Sequence, residues 1–279
     1  MSNAVATSPR VYGIVATRAP VALIFRRGPS DWFHLLRWRL DTGRLEPGVW
    51  VRKKVFVRRC DLSSDGELLS YYLSGGVEGQ YQVFGGISRA PWLHPLVSWR
   101  EIGTWGRGCR FVEDASVAEG RGRREIELGS RRVVVQDNEV GAWANEMRRG
   151  WVEAPECPAR HPKDVWDERR SVILQKPCAT NGCVLWLIGG RYQPEGGIDG
   201  RVPRYEVALA SGEVRRLDDA AWAEWDAAGR LLVATKDGWL EARDVSAGET
   251  MERHDLRGMK PEAQEAPEWA KSAMAAREA

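Results

Sequence analysis

A glycine-centred motif that recurs along the chain constrains the fold more than any other feature. Its form is an apolar residue, any residue, a small residue, glycine and a charged residue, which is typical of a tight turn between antiparallel strands. The motif occurs at 40–44, 209–213 and 245–249, with a looser copy at 128–132. Its glycines, 43, 129, 212 and 248, are 86, 83 and 36 residues apart. A repeat of about 42 residues accounts for this spacing if alternate copies have diverged, and Gly86 lies midway between the first two.

A second repeated element predicts a meander of short strands. The segment Asp65–Leu69 aligns with Ala228–Leu232, and in both copies a glycine is followed, one residue later, by two leucines. Near the end of the chain, strand-like runs at 221–225, 231–235 and 239–245 are separated by turns that contain glycine. We expect these runs to form consecutive antiparallel strands.

Repeats of about 40–45 residues are typical of four-stranded propeller blades. The segments Asp65–Leu69, Gly229–Leu232 and Trp239–Val245 resemble the WD40-like superfamily of propellers. This resemblance implies an all-β chain in which residues 11–257 form one propeller of about five or six blades, with residues 1–10 as an N-terminal tail or closing strand. The alternative is a β-sandwich followed by a separate β module.

Two segments depart from the strand pattern. Residues 138–163 read as an inserted connection with a short helix through 140–149, followed by three prolines, Pro155, Pro158 and Pro162. Insertions of this kind are favoured places for function. Residues 258–279 are rich in Ala, Glu and Lys from Pro261 onwards, which predicts a peripheral C-terminal helix that carries Trp269.

Composition and charge narrow the class of protein. No stretch approaches the roughly 20 apolar residues of a membrane helix, and the first ten residues lack the apolar core of a signal peptide. Five cysteines without a CxxC pair do not make a secreted disulfide framework, so we expect reduced thiols and a cytoplasmic protein. The net charge of +2 is uneven: residues 1–150 carry 23 Lys and Arg against 16 Asp and Glu, and residues 151–279 carry 18 against 23. This asymmetry could orient a partner or favour self-association, but ordinary mixed surface charge is the preferred explanation.

Four residues have the chemistry of a structural zinc site. Cys157 and His161 form a C-x3-H pair, and after sixteen residues Cys178 and Cys183 form a C-x4-C pair. Three thiolates and one imidazole can close a tetrahedral zinc site, and the loop between Cys178 and Cys183 could form the knuckle of a hairpin. The alternative is that Cys183 packs within the strand-like run 183–188 and that the other thiols are incidental. No other cofactor is predicted.

Catalytic motifs do not stand out. The sequence has no G-x-S-x-G elbow, and its histidines are His34, His94, His161 and His254. The aspartates at turn positions, such as Asp65 and Asp226, are expected to accept hydrogen bonds from the local backbone. We therefore assign no catalytic residue, and an enzyme is disfavoured.

Basic residues cluster at 52–54 with 58–59, and again from 121–124 to 131–132. Such runs suit phosphate groups, but the total charge near zero disfavours nucleic acid as the main ligand. The interpretation in which these runs are solvated outer strands is preferred.

The segment 88–99 carries the candidate partner-binding residues Arg89, Trp92, His94 and Trp99. Pro91 and Pro95 exclude a regular central strand, so we expect a loop in this segment. Packing of the Trp92 ring in the core is the favoured interpretation, and the alternative is an exposed Trp92 that binds a partner. Interface energy concentrates in Trp and Arg, which makes this loop a binding candidate.

The favoured function is a non-enzymatic scaffold that binds a protein partner through this loop and residues 138–163. The alternatives are a hydrolase or lyase acting in a central channel, and a zinc-stabilised module that contacts nucleic acid. No oligomeric state is predicted.

Overall fold

The protein is described by a computed structural model. It covers residues 8–75, 82–101, 106–113, 121–138, 143–155, 172–189, 198–200 and 203–272. Over these residues the chain forms five antiparallel sheets with only short helices, so the predicted all-β class is confirmed. No helix in the described ranges is long and apolar enough to cross a membrane.

The chain divides into two compact units, each assembled from segments far apart in the sequence. Unit 1 comprises Met1–Gly13, Ile24–His34 and Glu146–Pro261, and unit 2 comprises Ile14–Leu23, Leu35–Asn145 and Glu262–Ala279. The predicted boundaries after residues 10 and 257 stay a prediction.

The first sheet is a four-stranded meander in the order β1-β2-β3-β4. Its strands are β1 (Arg10–Val15), β2 (Val21–Arg27), β3 (Phe33–Arg39) and β4 (Leu45–Val51). All but the last residue of β2 are buried, because its apolar run continues without alternation.

The second sheet lies in unit 2 and has the order β5-β7-β8-β9, with β6 also pairing with β7. Its elements are β5 (Lys54–Val55), a 3-10 helix (Val57–Arg59), β6 (Asp61–Leu62), β7 (Leu68–Gly75), β8 (Gln82–Arg89) and β9 (Pro95–Glu101). The position of Gly86, midway between two copies of the motif, suggested a turn, but the structure places Gly86 inside a strand. It pairs with Tyr71 and Ser98 inside β8, where a Cβ would collide with the Tyr71 ring.

The third sheet, also in unit 2, has the order β10-β12-β11. Its strands are β10 (Cys109–Phe111), β11 (Arg124–Leu128) and β12 (Arg131–Asp137). One apolar cluster packs it against the second sheet and contains Leu68, Ile87, Cys109, Leu128, Val133 and Val135. Burial of this kind is the main favourable term in folding.

The fourth and fifth sheets belong to unit 1 and follow a short helix, α1 (Ala144–Arg148), which lies within the predicted range 140–149. The fourth sheet consists of β13 (Val152–Glu153), β14 (Ile173–Pro177), β15 (Val184–Ile188), β16 (Arg204–Ala208) and β17 (Val214–Leu217). The fifth consists of β18 (Ala220–Trp225), β19 (Leu231–Thr235), β20 (Trp239–Asp244) and β21 (Glu249–Asp255). Both are simple meanders, so the predicted meander near the end of the chain is confirmed and gains a fourth strand.

The repeated glycines all occupy the same kind of turn. Gly43, Gly129, Gly212 and Gly248 have φ values of 71°, 66°, 88° and 74°, and each separates two strands of one sheet. The aligned pair Gly66 and Gly229 behaves alike: φ is 72° and 82°, and each glycine N–H donates to the carbonyl three residues earlier, at 2.8 and 3.1 Å. Side chains with a Cβ rarely adopt this conformation, which explains why glycine recurs there.

The C-terminal segment differs from the predicted long helix. Its described helix, α2 (Glu268–Lys271), has four residues, and residues 258–267 have no regular secondary structure. Pro261 and Pro267 lack the N–H that a helix needs, so a composition rich in helix formers does not suffice.

A buried arginine in unit 1 links β2 to the segment that follows β21. Arg26, 2% exposed, donates from Nε to the carbonyl of Leu256 at 2.7 Å and from Nη2 to that of Met259 at 3.3 Å. Burial lowers the pKa of Arg26 to about 10. These bonds join β2 to the chain that follows β21, about 230 residues later.

Candidate partner-binding site

The segment 88–99 forms a hairpin rather than the predicted loop. β8 continues to Arg89, a short turn follows, and β9 begins at Pro95. The turn is held by the Trp92 N–H, which donates to the Arg89 carbonyl at 2.7 Å. Both prolines sit where the sheet tolerates them, because Pro91 lies in the turn and Pro95 is the first residue of an edge strand. The sequence was right to exclude a central strand but missed this edge strand.

Trp92 is buried, with 8% of its surface exposed. The favoured interpretation, in which the ring packs in the core, is confirmed, and Trp92 is not an exposed residue of the hairpin. Removing a large apolar ring from water is favourable, so the Trp92 side chain packs into the core rather than projecting from the turn.

The other hairpin residues differ in exposure. His94 is exposed and Arg89 is half-buried. Whether Arg89, Trp92, His94 and Trp99 bind a partner stays a prediction.

Trp99 lies on β9 and is anchored on three sides. Its Nε1 donates to Glu101 Oε1 at 2.6 Å, and the Arg124 guanidinium lies 4.8 Å from the ring centroid. The ring also covers Gly85 of β8, where any side chain would collide with it. Trp99 is thus half-buried against the apolar cluster of unit 2 and is separated along β9 from the turn that holds Trp92.

β9 ends the second sheet, and in the described part of the chain no strand pairs with its outer side. Ser98 and Arg100 are exposed, while Leu96, Val97 and Trp99 are half-buried. Sequence reasoning missed Ser98 and Arg100. The apolar–polar alternation from Val97 to Arg100 is a period-2 signal that could have revealed the strand.

Arg37 of β3 contacts the turn of the hairpin, and it was not identified from the sequence. One of its Nη atoms donates to the Ala90 carbonyl, and the other lies 3.9 Å from Glu46 Oε2. Burial lowers the pKa of Arg37, although Glu46 opposes that effect. The Trp269 ring lies 5.6 Å from its guanidinium carbon. No local pattern in the sequence indicates a contact between residues this far apart.

The turn next to the hairpin is closed by a carboxylate. Asp65 Oδ1 accepts from Ser63 Oγ at 2.6 Å and from the Glu67 N–H at 3.1 Å, and Arg131 Nη1 lies 2.7 Å from Oδ2. Burial raises the pKa of Asp65, but these donors together outweigh it and hold the pKa below its usual value. The Glu67 carbonyl in turn accepts from the Ala90 N–H at 2.9 Å, which links this turn to the hairpin.

The turn aspartates bond to the local backbone, as expected for structural residues. Asp226 Oδ1 accepts from the N–H groups of Ala228 and Arg230 at 3.0 and 2.8 Å. Asp244 Oδ1 accepts from Ser246 and Ala247 at 2.8 and 3.0 Å. The hydrolase or lyase alternative gains no residue from them.

Half of the predicted zinc site lies outside the described residues, namely Cys157 and His161. Cys178 and Cys183 flank the β14–β15 turn, where the Cys178 N–H donates to the Cys183 carbonyl at 2.8 Å, and both are buried. Cys178 Sγ is 3.4 Å from Thr180 Oγ1. No group of three or more His, Cys, Asp or Glu side chains able to hold a metal occurs within the described ranges. The zinc site stays a prediction, which metal analysis of the purified chain tests.

Comparison with known proteins yields only distant similarity. No family model matches the chain, and no curated protein matches it. The crystal structure of Sqt1 from Saccharomyces cerevisiae aligns with 89% of this chain and 86% of its own, at 11% identity and a TM-score of 0.28. That of Raptor from Chaetomium thermophilum aligns with 90% of this chain and 22% of its own, at 14% identity and a TM-score of 0.19. Similarities with TM-scores this low carry no argument about the fold or the function of this chain.

Proposed function

We propose that the chain is a non-enzymatic scaffold that binds an extended segment of a protein partner along β9. The observation that carries this proposal is the outer side of β9, which no strand covers in the described residues. An edge strand presents a row of backbone N–H and C=O groups, and an added strand satisfies them.

The side chains of β9 suit such an addition. Leu96, Val97 and Trp99 offer apolar surface that is already half-buried, so a partner removes the remainder from water without rearranging the core. Ser98 and Arg100 are exposed between and beside them, and a positive charge at Arg100 favours a partner segment with a carboxylate at the facing position.

Within this proposal the five sheets are blades of a small WD40-like propeller. Support comes from the repeat itself: each of the five sheets contains a strand-to-strand turn with a left-handed glycine, and two of them contain the aligned Gly66 and Gly229 turns. Propellers display their loops and outer strands to partners, which agrees with a binding role.

The test is affinity capture from host lysate with the full chain, followed by a quantitative binding assay with each stoichiometric partner. Ser98→Glu with Arg100→Glu changes only exposed side chains, so stability should hold within about 0.5 kcal/mol. We expect at least tenfold weaker binding. The matched control is Thr42→Glu with Arg44→Glu, which makes the same charge change on two exposed side chains at the β3–β4 turn of the same unit.

Hydrogen exchange on the complex locates the contact. Amides of β9 should become protected when the partner binds, while those of β21 should not. Equal loss of binding in the control variant, protection confined to another element, or the lack of any stoichiometric partner would each overturn the proposal.

A further inference from the structure

Unit 2 carries two basic segments that are distant in sequence. The first runs from Arg52 to Arg59, at the end of β4 and through the 3-10 helix, and has five cations and no acidic residue. The second consists of Arg107, just before β10, with Arg121 and Arg123, just before β11.

The end of β12 brings these segments together. The Asn138 side chain donates from Nδ2 to the Arg59 carbonyl at 3.1 Å, and its backbone N–H donates to the Gly108 carbonyl at 2.9 Å. One residue earlier, the Asp137 N–H donates to the Arg121 carbonyl at 3.0 Å. Gly108 lies so close to the Arg59 backbone that a Cβ would collide with it. Two consecutive residues thus hold the backbones of Arg59, Gly108 and Arg121 at one end of the unit.

We define the basic rim as the five exposed cations on these segments: Arg52, Lys53, Lys54, Arg107 and Arg121. Among the described residues none of the five forms an ion pair with a carboxylate. Within the described residues these cations thus keep their charge, and cations that lie close together on a surface raise the local concentration of anions.

Aromatic rings order the neighbouring cations without neutralising them. The Arg58 guanidinium lies 4.2 Å from the Trp143 ring centroid, and that of Arg59 lies 4.9 Å from Phe56 and 5.3 Å from Tyr72. Lys54 Nζ is 5.0 Å from the Phe56 ring. A ring attracts a cation through its quadrupole but adds no net negative charge, so these contacts fix the geometry of the cations without offsetting their charge.

We propose that the basic rim binds the phosphodiester backbone of a nucleic acid without reading its sequence. The total charge of the chain is near zero, but the contact depends on local charge, and this surface concentrates cations that the rest of the chain offsets elsewhere. Arginine, which contributes three of the five rim residues, suits phosphate through its planar fork of donors.

An acidic protein segment fits this surface less well. The rim residues lie in turns and at strand ends rather than along an edge strand, so they offer no row of backbone groups to an extended peptide. Binding that depends on side-chain charges alone is strongest with a polymer whose charge density is high enough to condense counterions, because release of those ions supplies free energy.

Base stacking is not part of the contact. Tyr72 and Trp143 are buried, with 0% and 4% of their surfaces exposed, and arginines already lie over their rings. Since no open aromatic face remains on them for a base, a duplex should bind as well as a single strand.

Fluorescence anisotropy with a labelled 20-base-pair DNA duplex, across a series of salt concentrations, tests the proposal. The variant Arg52→Ala, Lys53→Ala, Lys54→Ala should bind at least tenfold more weakly at low salt. Its slope of log K against log salt should fall by about 2–3, because each lost phosphate contact removes roughly 0.9. The control variant Arg44→Ala, Arg204→Ala, Arg216→Ala also removes three exposed cations and should change affinity less than twofold.

A second variant, Arg107→Ala with Arg121→Ala, should weaken binding as well if the two segments form one surface. Thermal unfolding of every variant checks that folding is intact. No binding at low salt, equal weakening in the control, or tighter binding of a polyglutamate peptide than of the duplex would overturn the assignment.

Discussion

At the scale of single residues, short polar side chains close the turns on which the sheets depend. Ser63 and Asp226 occupy aligned positions, one residue after β6 and β18, and their side-chain oxygens accept from the Leu68 and Arg230 N–H groups at 2.9 and 2.8 Å. The two residue types differ, yet each satisfies backbone donors that the left-handed glycine turn leaves unpaired. Polar residues are favoured at turns for this reason.

Asp65→Asn should destabilise the chain by about 1–2 kcal/mol near neutral pH, because it weakens charge-assisted bonds from Ser63, Glu67 and Arg131. Since the folded pKa of Asp65 lies below its unfolded value of about 3.9, the stabilisation is present above that pH and is lost as pH falls through the folded pKa. Chemical denaturation from pH 7 to pH 3 measures it. The wild type and variant should differ most at pH 7 and converge at the acid end, and a gap that does not shrink would contradict this origin.

At the scale of elements, buried polar groups reinforce the contacts between strands of different sheets. In unit 1, Glu224 of β18 accepts from Trp151 Nε1 at 2.8 Å and pairs with Lys176 Nζ of β14 at 2.8 Å. A buried carboxylate is tolerated only when its oxygens have such partners, so this residue fixes how β18 sits against β14. In unit 2 the β8–β9 hairpin is instead held by an apolar anchor, Trp92.

Trp92→Ala should cost about 3–5 kcal/mol of folding free energy, because it removes a buried ring from a packed core. Denaturant titration measures the loss. His94→Ala changes an exposed residue two positions away in the same turn and should stay within about 0.5 kcal/mol. If Trp92→Ala left stability unchanged while weakening partner binding, the ring would belong to the interface after all.

At the scale of the whole molecule, the segment that follows β21 contributes contacts to both units. Ala270 of α2 has 0% of its surface exposed, and Trp269, 43% exposed, lies over Arg37 in unit 2. In unit 1, Arg26 plays the corresponding part by bonding to the chain after β21. Contacts at such separations close long loops, so their formation costs more chain entropy than the formation of a local turn.

Truncation after Pro261 should therefore lower stability by about 1–2 kcal/mol, through lost apolar burial at Ala270 and the lost Trp269–Arg37 contact. A chain that ends at Ser272 keeps α2 and serves as the control. Thermal unfolding of the two forms compares them directly. Equal midpoints would show that α2 rests on unit 2 without stabilising it.

The sequence alone determined the strand pattern and its turns. The all-β class, the meander from β18 to β20 and the glycine turns at 43, 129, 212 and 248 follow from local rules, since glycine is favoured where φ is positive and short apolar runs bounded by turns favour strands. The prediction of a long C-terminal helix from composition was wrong. Among the described residues after β21 only the four residues of α2 are helical, because Pro261 and Pro267 interrupt the segment before it.

Only the tertiary structure decided which side chains meet and which are exposed. It placed Trp92 in the core, set β9 at the edge of its sheet, and brought Arg59, Gly108 and Arg121 to one end of unit 2 through Asn138 and its neighbour. Burial and long-range pairing depend on the whole packed chain, whereas a turn depends on a few adjacent dihedral angles. Local patterns therefore predict where the strands turn, and packing decides what those turns present to a partner.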